Sequence, residues 1–334
     1  MNKLMLAGTV SAGWAILMLS AAAQGKNDVE PHLPDEYETT SGHGLAMNNA
    51  GYALNDGFTA VRANPALLST QKDYTVSAGY HWPTAGRDYY QAGVVDAKTA
   101  TVAAGVSYTG YTDDFAYPVD PVSSKPTGAA FYDSPVTRRA NVAVASVFGQ
   151  FSLGLGATYI EAHPAPGSAL QQSGATRVTG FGLNAGIATA LSSEWHFGAA
   201  IENASSRKLK DYDPRMFKIG TAYSLSPMFT LFLDARQRDR VPEYEEQISL
   251  DNPSQSITLG QPERLIIGSA VAMLQDYLRV TVSYGQSMTD GRRLLSGGAA
   301  LISKNFVLSY AASRPYMKIP GAHQAVTFSF EMAI

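Results

Sequence analysis

From about residue 73 to the last residue, segments of roughly ten residues alternate apolar with polar side chains, and the connections between them alternate short with long. The short ones fall at 96–99, 148–150, 191–194, 225–227, 274–276 and 303–305. The longer ones fall near 83–87, 111–136, 162–175, 205–213, 238–262, 287–292 and 315–321. Tight turns at one rim and longer loops at the other are the pattern of a transmembrane β-barrel. Lipid offers no hydrogen bonds to the backbone, so a sheet crossing it must close on itself. A water-soluble sandwich also alternates, so the aromatic residues have to decide between the two.

The periodicity predicts strands near 73–82, 88–96, 100–110, 138–148, 150–161, 176–190, 194–204, 215–224, 228–237, 263–273, 276–286, 293–302, 305–314 and 322–334. Tyr74, Phe151, Trp195, Phe229, Tyr277 and Phe306 lie at the short-turn ends of these strands, and Tyr80, Tyr108, Tyr159, Tyr284 and Tyr310 toward the long-loop ends. Between them come mainly Val, Leu, Ile and Ala. Two aromatic girdles about one strand apart predict a membrane band, where a sandwich would bury its aromatics centrally. The fold class is therefore all-β: a transmembrane antiparallel barrel of about 14 strands, with both termini on the periplasmic side. Its final strand carries Val326, Phe328, Phe330, Met332 and Ile334 on one face, a terminal alternation resembling a barrel-insertion signal, although an aromatic ending is commoner there than Ile334.

The amino terminus adds targeting information. Lys3, the apolar run Leu4 to Leu19 and the small residues Ala21-Ala22-Ala23 read as a signal peptide over 1–23. That places the protein in the outer membrane of a Gram-negative bacterium, among outer-membrane lipids. The acidic stretch from Asp28 to Glu36 reads as a solvated periplasmic lead. No later stretch reaches eighteen consecutive apolar residues, so no transmembrane helix is expected. The chain contains no cysteine, which excludes disulfides, thiolate metal sites and a lipidated thiol. A net charge of −3 gives no support for nucleic-acid binding.

Residues 24–72 read as that lead followed by a lumen plug, and 73–334 as the barrel. The segment Gly44 to Leu67 is rich in small residues and has no period of two. Asp56 could cap a short helix running to Val61, and Pro65 biases Asn64 away from helix. Asn64-Pro65-Ala66 immediately before the first strand, with Ala50-Gly51 and Asp56 upstream, resembles the FadL-like family of outer-membrane transporters and its PorV-type relatives. Leu67 departs from the Gly often found there. The resemblance implies a hatch built around Asp56, Asn64, Pro65 and Ala66. It also implies a route for a hydrophobic small molecule such as a fatty acid, opening sideways into the bilayer in some members.

Other motifs carry little. Gly180-Phe181-Gly182-Leu183-Asn184-Ala185 matches part of a dinucleotide fingerprint, but it continues a strand where the fingerprint needs a helix opening. The six histidines lack ligand spacing and no nucleophile elbow is present, so no catalytic residue, metal or cofactor is expected and the protein is not read as an enzyme. The ionisable residues expected in the lumen are Glu202, Asp234, Arg236, Arg264, Arg279 and Glu331. They form either a charged constriction for solutes or a paired set that locks the hatch to the wall. The leading function is passive uptake of hydrophobic or amphipathic molecules; the alternatives are a structural or assembly protein and a general porin. Small residues at Gly180, Gly182, Gly186, Gly198, Ala199, Ala200 and Ser296 to Ala300 suggest a homo-oligomer through a close-packing wall, unless these residues face inward to make room for the hatch.

Overall fold

A computed structural model describes residues 41–54, 57–83, 89–111, 115–116, 131–132, 136–163, 178–205, 214–239, 263–289, 291, 293–316 and 325–333. The expected signal peptide, the acidic lead and Asp56 lie outside them, as do most residues of the long connections.

Alternation of side chains sets the strands: β1 (Tyr74–Pro83), β2 (Tyr89–Asp96), β3 (Ala103–Tyr111), β6 (Val136–Phe148), β7 (Phe151–His163), β8 (Val178–Ala190), β9 (Trp195–Glu202), β10 (Met216–Ser226), β11 (Phe229–Arg238), β12 (Glu263–Leu274), β13 (Leu278–Ser287), β14 (Arg293–Ile302), β15 (Phe306–Tyr316) and β16 (Ala325–Ala333). These 14 form one closed barrel in which each strand pairs antiparallel with its sequence neighbour, β3 pairs with β6, and β1 closes on β16. The two-residue strands β4 (Phe115–Ala116) and β5 (Phe131–Tyr132) pair only with each other. Several strand bounds shift by two or three residues: 100–102 are bends, so β3 begins at Ala103, β6 begins at Val136 and β13 at Leu278, and β9 stops at Glu202, where Asn203 takes a left-handed φ of 55°.

Side-chain parity separates two environments. Arg139, Asn141, Ala143 and Ala145 of β6 are buried, whereas Val142 and Val144 between them are exposed. Across the wall, Leu155 is 66% and Phe181 70% exposed, and an outward apolar belt of this extent is a lipid-facing surface rather than a water-facing one. Trp195 packs on Tyr223 with ring centroids 4.5 Å apart at the short-turn rim, and Tyr90 approaches Tyr108 at 6.0 Å toward the other.

The short turns are built by local polar groups. In the β8–β9 turn the Glu194 carboxylate accepts from the Ser193 and Ser192 hydroxyls at 2.6 and 2.7 Å. These bonds, Ser193 first, hold its carboxyl below the usual range. Among the described residues no helix is long and apolar enough to cross a membrane; this chain crosses with strands.

Candidate functional site: the plug and its seat in the lumen

Residues 41–54 and 57–71 run inside the barrel. Ser41 opens helix α1 (Gly42–Ala46), its hydroxyl accepting from Gly44 N at 3.1 Å. Asn48 and Asn49 then adopt left-handed φ values of 53° and 61°, and Gly51 follows at 89°, so the chain reverses inside the lumen. A 3₁₀ turn at Gly57–Thr59 leads into helix α2 (Ala60–Ala63), and a second at Pro65–Thr70 leads to β1. The helical stretch thus begins at Gly57, and Asp56, the expected cap, lies outside the described residues; Thr59, before Ala60, makes no side-chain capping bond.

The Asn-Pro-Ala element has a specific geometry. Asn64 is fully buried, and its amide donates to Tyr52 O at 2.8 Å and to Ile187 O of β8 at 3.1 Å. Its Oδ1 accepts from Ala66 N at 3.2 Å, which caps the 3₁₀ turn. Pro65 occupies the first helical position, where a missing N–H costs nothing. The backbone of this element presses on the wall: a Cβ on Gly154 would lie 2.3 Å from Ala66 N, and one on Gly186 would lie 2.0 Å from Asn64 Oδ1. Glycines on β7 and β8 make the seat.

A second set of contacts is ionic. Glu202 of β9 pairs with plug residue Arg62 and, at 2.6 Å, with Lys218 of β10, all three buried. Lys218 Nζ also donates to Arg62 O at 3.3 Å and lies 5.7 Å from the Tyr52 ring centroid. Asp234 of β11 accepts from the main-chain N–H groups of Gly51 and Tyr52 at 3.2 and 3.1 Å. Burial pushes the Tyr52 phenol up to about 12, with Arg236 pulling the other way.

The remaining hold is neutral. Asn48 donates to Ser283 Oγ at 2.8 Å and accepts from Ser296, while Ser283 donates to Ala46 O at 2.7 Å and Gly42 N to Ser329 Oγ at 2.7 Å. Toward β2 and β3 the plug instead offers Phe58 and Val61, packed where Gly93 and Gly105 have no side chain. A cavity of about 40 Å³ lies on that side, reached by Gln91, Ser107, Thr109 and Asn141 of the wall. Beside it a hydrogen-bonded polar belt runs from Ser107 through Asn141, Thr158 and Asn184 to Asn203 N, with links of 2.8 to 3.1 Å.

Most of the expected lumen charges face inward, but they do not form one constriction. Glu202, Asp234 and Arg236 gather around Arg62 and Tyr52. Arg279 and Glu331 line a separate small cavity with Ser41 and His43, where Ser77 donates to Glu331 at 3.3 Å. Arg264 is a correction. It is exposed, because Leu265, Ile267 and Ser269 take the inward parity of β12, and its Nε donates to Gln237 Oε1 at 3.2 Å. Sequence reasoning missed Arg62, Lys218 and Asn48. Lys218 had a readable signal, a cation flanked by outward Phe217 and Ile219 and hence aimed inward.

Most glycines of the thin strands also face in. Gly182 meets Asn203, Gly186 meets Asn64, Gly198 meets Tyr52 and Gly298 meets Ala46. Gly186, Gly198 and Gly298 make space for the plug, while Ala199, Gly297 and Ala299 take the outward parity of their strands. Among the described residues no group of three or more His, Cys, Asp or Glu is placed to hold a metal.

No family model and no curated protein matches this sequence. Solved structures do match its fold. The Ralstonia pickettii toluene transporter TbuX superposes with a TM-score of 0.63 at 13% identity, over 89% of this chain and 99% of that one. The Pseudomonas putida toluene transporter TodX gives 0.59 at 12%, over 93% and 99%. A Pseudomonas aeruginosa FadL homologue gives 0.58 at 12%, over 89% and 99%. The fold is that of the FadL-like outer-membrane barrels.

Proposed function

We propose that this protein is an outer-membrane channel for passive uptake of hydrophobic or amphipathic small molecules, with residues 41–71 as its hatch. The observation that carries the reading is a lipid-facing barrel whose lumen is closed by a separate, small-residue segment held on glycine seats. An open lumen would serve a general porin, and this one is filled. The solved structures of like fold are named for toluene and monoaromatic hydrocarbon transport, and a monoaromatic hydrocarbon and a fatty acid are the two cargo classes to compare. Passage follows displacement of the plug from the wall of β2 and β3, where Phe58 and Val61 pack against Gly93 and Gly105 and Phe58 borders the 40 Å³ cavity. Arg62 borders the same cavity, and its ion set with Glu202 and Lys218 anchors the plug to β9 and β10.

The test is uptake of labelled toluene and labelled long-chain fatty acid by cells that lack their own hydrophobic channels, with and without this protein. Faster entry of either cargo supports the reading, and equal entry of both with the barrel folded in the outer membrane refutes it. The number and density of polar plug contacts favour one second reading, a permanently closed structural or assembly barrel. Planar-bilayer recording and pull-down separate the two. The channel reading expects no large steady conductance and no stoichiometric protein partner, whereas the assembly reading expects that partner.

A further inference from the structure

The outer wall is asymmetric. Over β10 to β14 it presents large side chains, among them Phe217, Ile219, Leu231, Leu233, Ile266 and Tyr284. Over β2, β3, β6 and β7 Leu155 stands out from β7, and beside it Ala104, Val106, Val142, Val144 and Ala157 line an apolar hollow of about 500 Å³. The register shows how the hollow is closed at one end. Tyr108 and Tyr159 flank Ala140 on neighbouring strands, with Tyr90 6.0 Å from Tyr108 and Phe181 5.1 Å from Tyr159. Immediately beyond them stands the Arg138–Glu161 pair at 3.8 Å. Toward the periplasmic rim the hollow reaches Asp96 at the end of β2. The Asp96 carboxylate is fixed by Lys98 N at 3.1 Å and Thr99 N at 2.9 Å, in a turn where Lys98 itself is exposed.

We propose that this hollow is a retained-phospholipid site: one acyl chain of a periplasmic-leaflet glycerophospholipid lies over β2, β3, β6 and β7, and its zwitterionic headgroup sits at the β2–β3 turn. The four residue steps of β6 from Val144 to Ala140 give the chain ~13 Å of wall at the rise of an extended strand. The tyrosine frame stops its methyl end. At the mouth a cation and a carboxylate stand two residues apart, matching a phosphate and an ammonium on one headgroup. An anionic headgroup would satisfy Lys98 while facing the Asp96 charge. A second copy of this chain fits poorly, because a two-fold contact sets the same patch against itself, and two hollows face to face leave a void. The site rests on the lipid-facing assignment of this wall and stands whether or not the hatch transports.

The first test uses the unmodified protein. It is reconstituted with phosphatidylethanolamine carrying a photoactivatable acyl chain, irradiated and digested. Crosslinks concentrated at least fivefold on peptides from β2, β3, β6 and β7 over those from β10 to β14 are expected, and an even distribution overturns the site. The second is native mass spectrometry from mild detergent with equimolar phosphatidylethanolamine and phosphatidylglycerol. One retained phosphatidylethanolamine is expected, lost at least tenfold in A104W/A157W and less selective in Lys98→Glu. Unchanged lipid retention in the tryptophan variant, or a dimer in place of the lipid, overturns it.

Discussion

The side-chain amide of Asn64 donates to the main-chain carbonyl of Ile187 across the plug–wall boundary at 3.1 Å, so one plug residue is tied to the backbone of a barrel strand. Because the same amide reaches Tyr52 O and its oxygen caps the next turn, Asn64 joins two parts of the plug to β8. Replacing it with Ala leaves buried backbone groups without partners, at ~1–3 kcal/mol for each group left unsatisfied. Asn64→Ala is expected to retain the barrel, read by heat-modifiable gel mobility, and to loosen residues 41–71, read by limited proteolysis. Unchanged protection of that segment contradicts the assignment.

The ion set gives a contrast between breaking and replacing. Removing Glu202 alone leaves the Arg62 and Lys218 cations buried without their shared carboxylate, and breaking such a set costs ~3–5 kcal/mol. Replacing Arg62, Glu202 and Lys218 together with Met removes the charges along with their desolvation cost and is expected to be near neutral. Thermal unfolding in detergent of Glu202→Ala against the triple variant makes the comparison. A triple variant less stable than the single one contradicts it.

Glycine seats predict where size matters. Gly154→Val would drive a side chain into the Ala66 backbone, and overpacking of this kind costs ~1–3 kcal/mol or displaces the plug. Gly268→Val, at a position with nothing within 4 Å, is expected to be silent. Planar-bilayer recording should show raised ion leakage for Gly154→Val only. Equal traces for the two variants argue that the plug does not seal at β7.

Much of the fold was legible because a barrel strand has only two faces. Phe151, Leu153 and Leu155 announce an outward row whatever surrounds them, and the short turns confirm the phase. Parity also exposed its own limit at Arg264, where the strand's phase must be known to one residue before a charge near its end can be assigned. The plug was legible as a segment and in Asn64-Pro65-Ala66, yet its partners were not. Arg62 meets Glu202 across 140 residues of sequence, and no local pattern encodes a pairing set by how an irregular segment folds inside a cylinder. The inward-facing glycines illustrate the same point: side-chain size was readable at Gly186 and Gly198, and what filled the space was not.

The outward belt makes a further prediction. Leu233 is exposed on β11, and Leu233→Arg should cost ~2–4 kcal/mol, as a cation does at the midplane of a barrel's lipid face. Arg264→Leu, at the outward end of β12, should leave stability unchanged. Folding titrations into lipid vesicles measure both; a tolerated Leu233→Arg would argue that this wall does not face lipid.

The central claim, that hydrophobic cargo passes by displacement of the plug, is tested most directly by tying the plug down. The chain contains no cysteine, and the side chains of Asn48 and Ser283 meet at 2.8 Å, so N48C/S283C introduces a single pair across the plug–wall boundary. Whole-cell uptake of labelled toluene and fatty acid is measured for the oxidised and the reduced variant, with disulfide formation confirmed by mass. The account predicts uptake near the unmodified protein when reduced, and at the level of cells without the protein when oxidised. Uptake that is the same in both states, or absent from the unmodified protein as well, contradicts it.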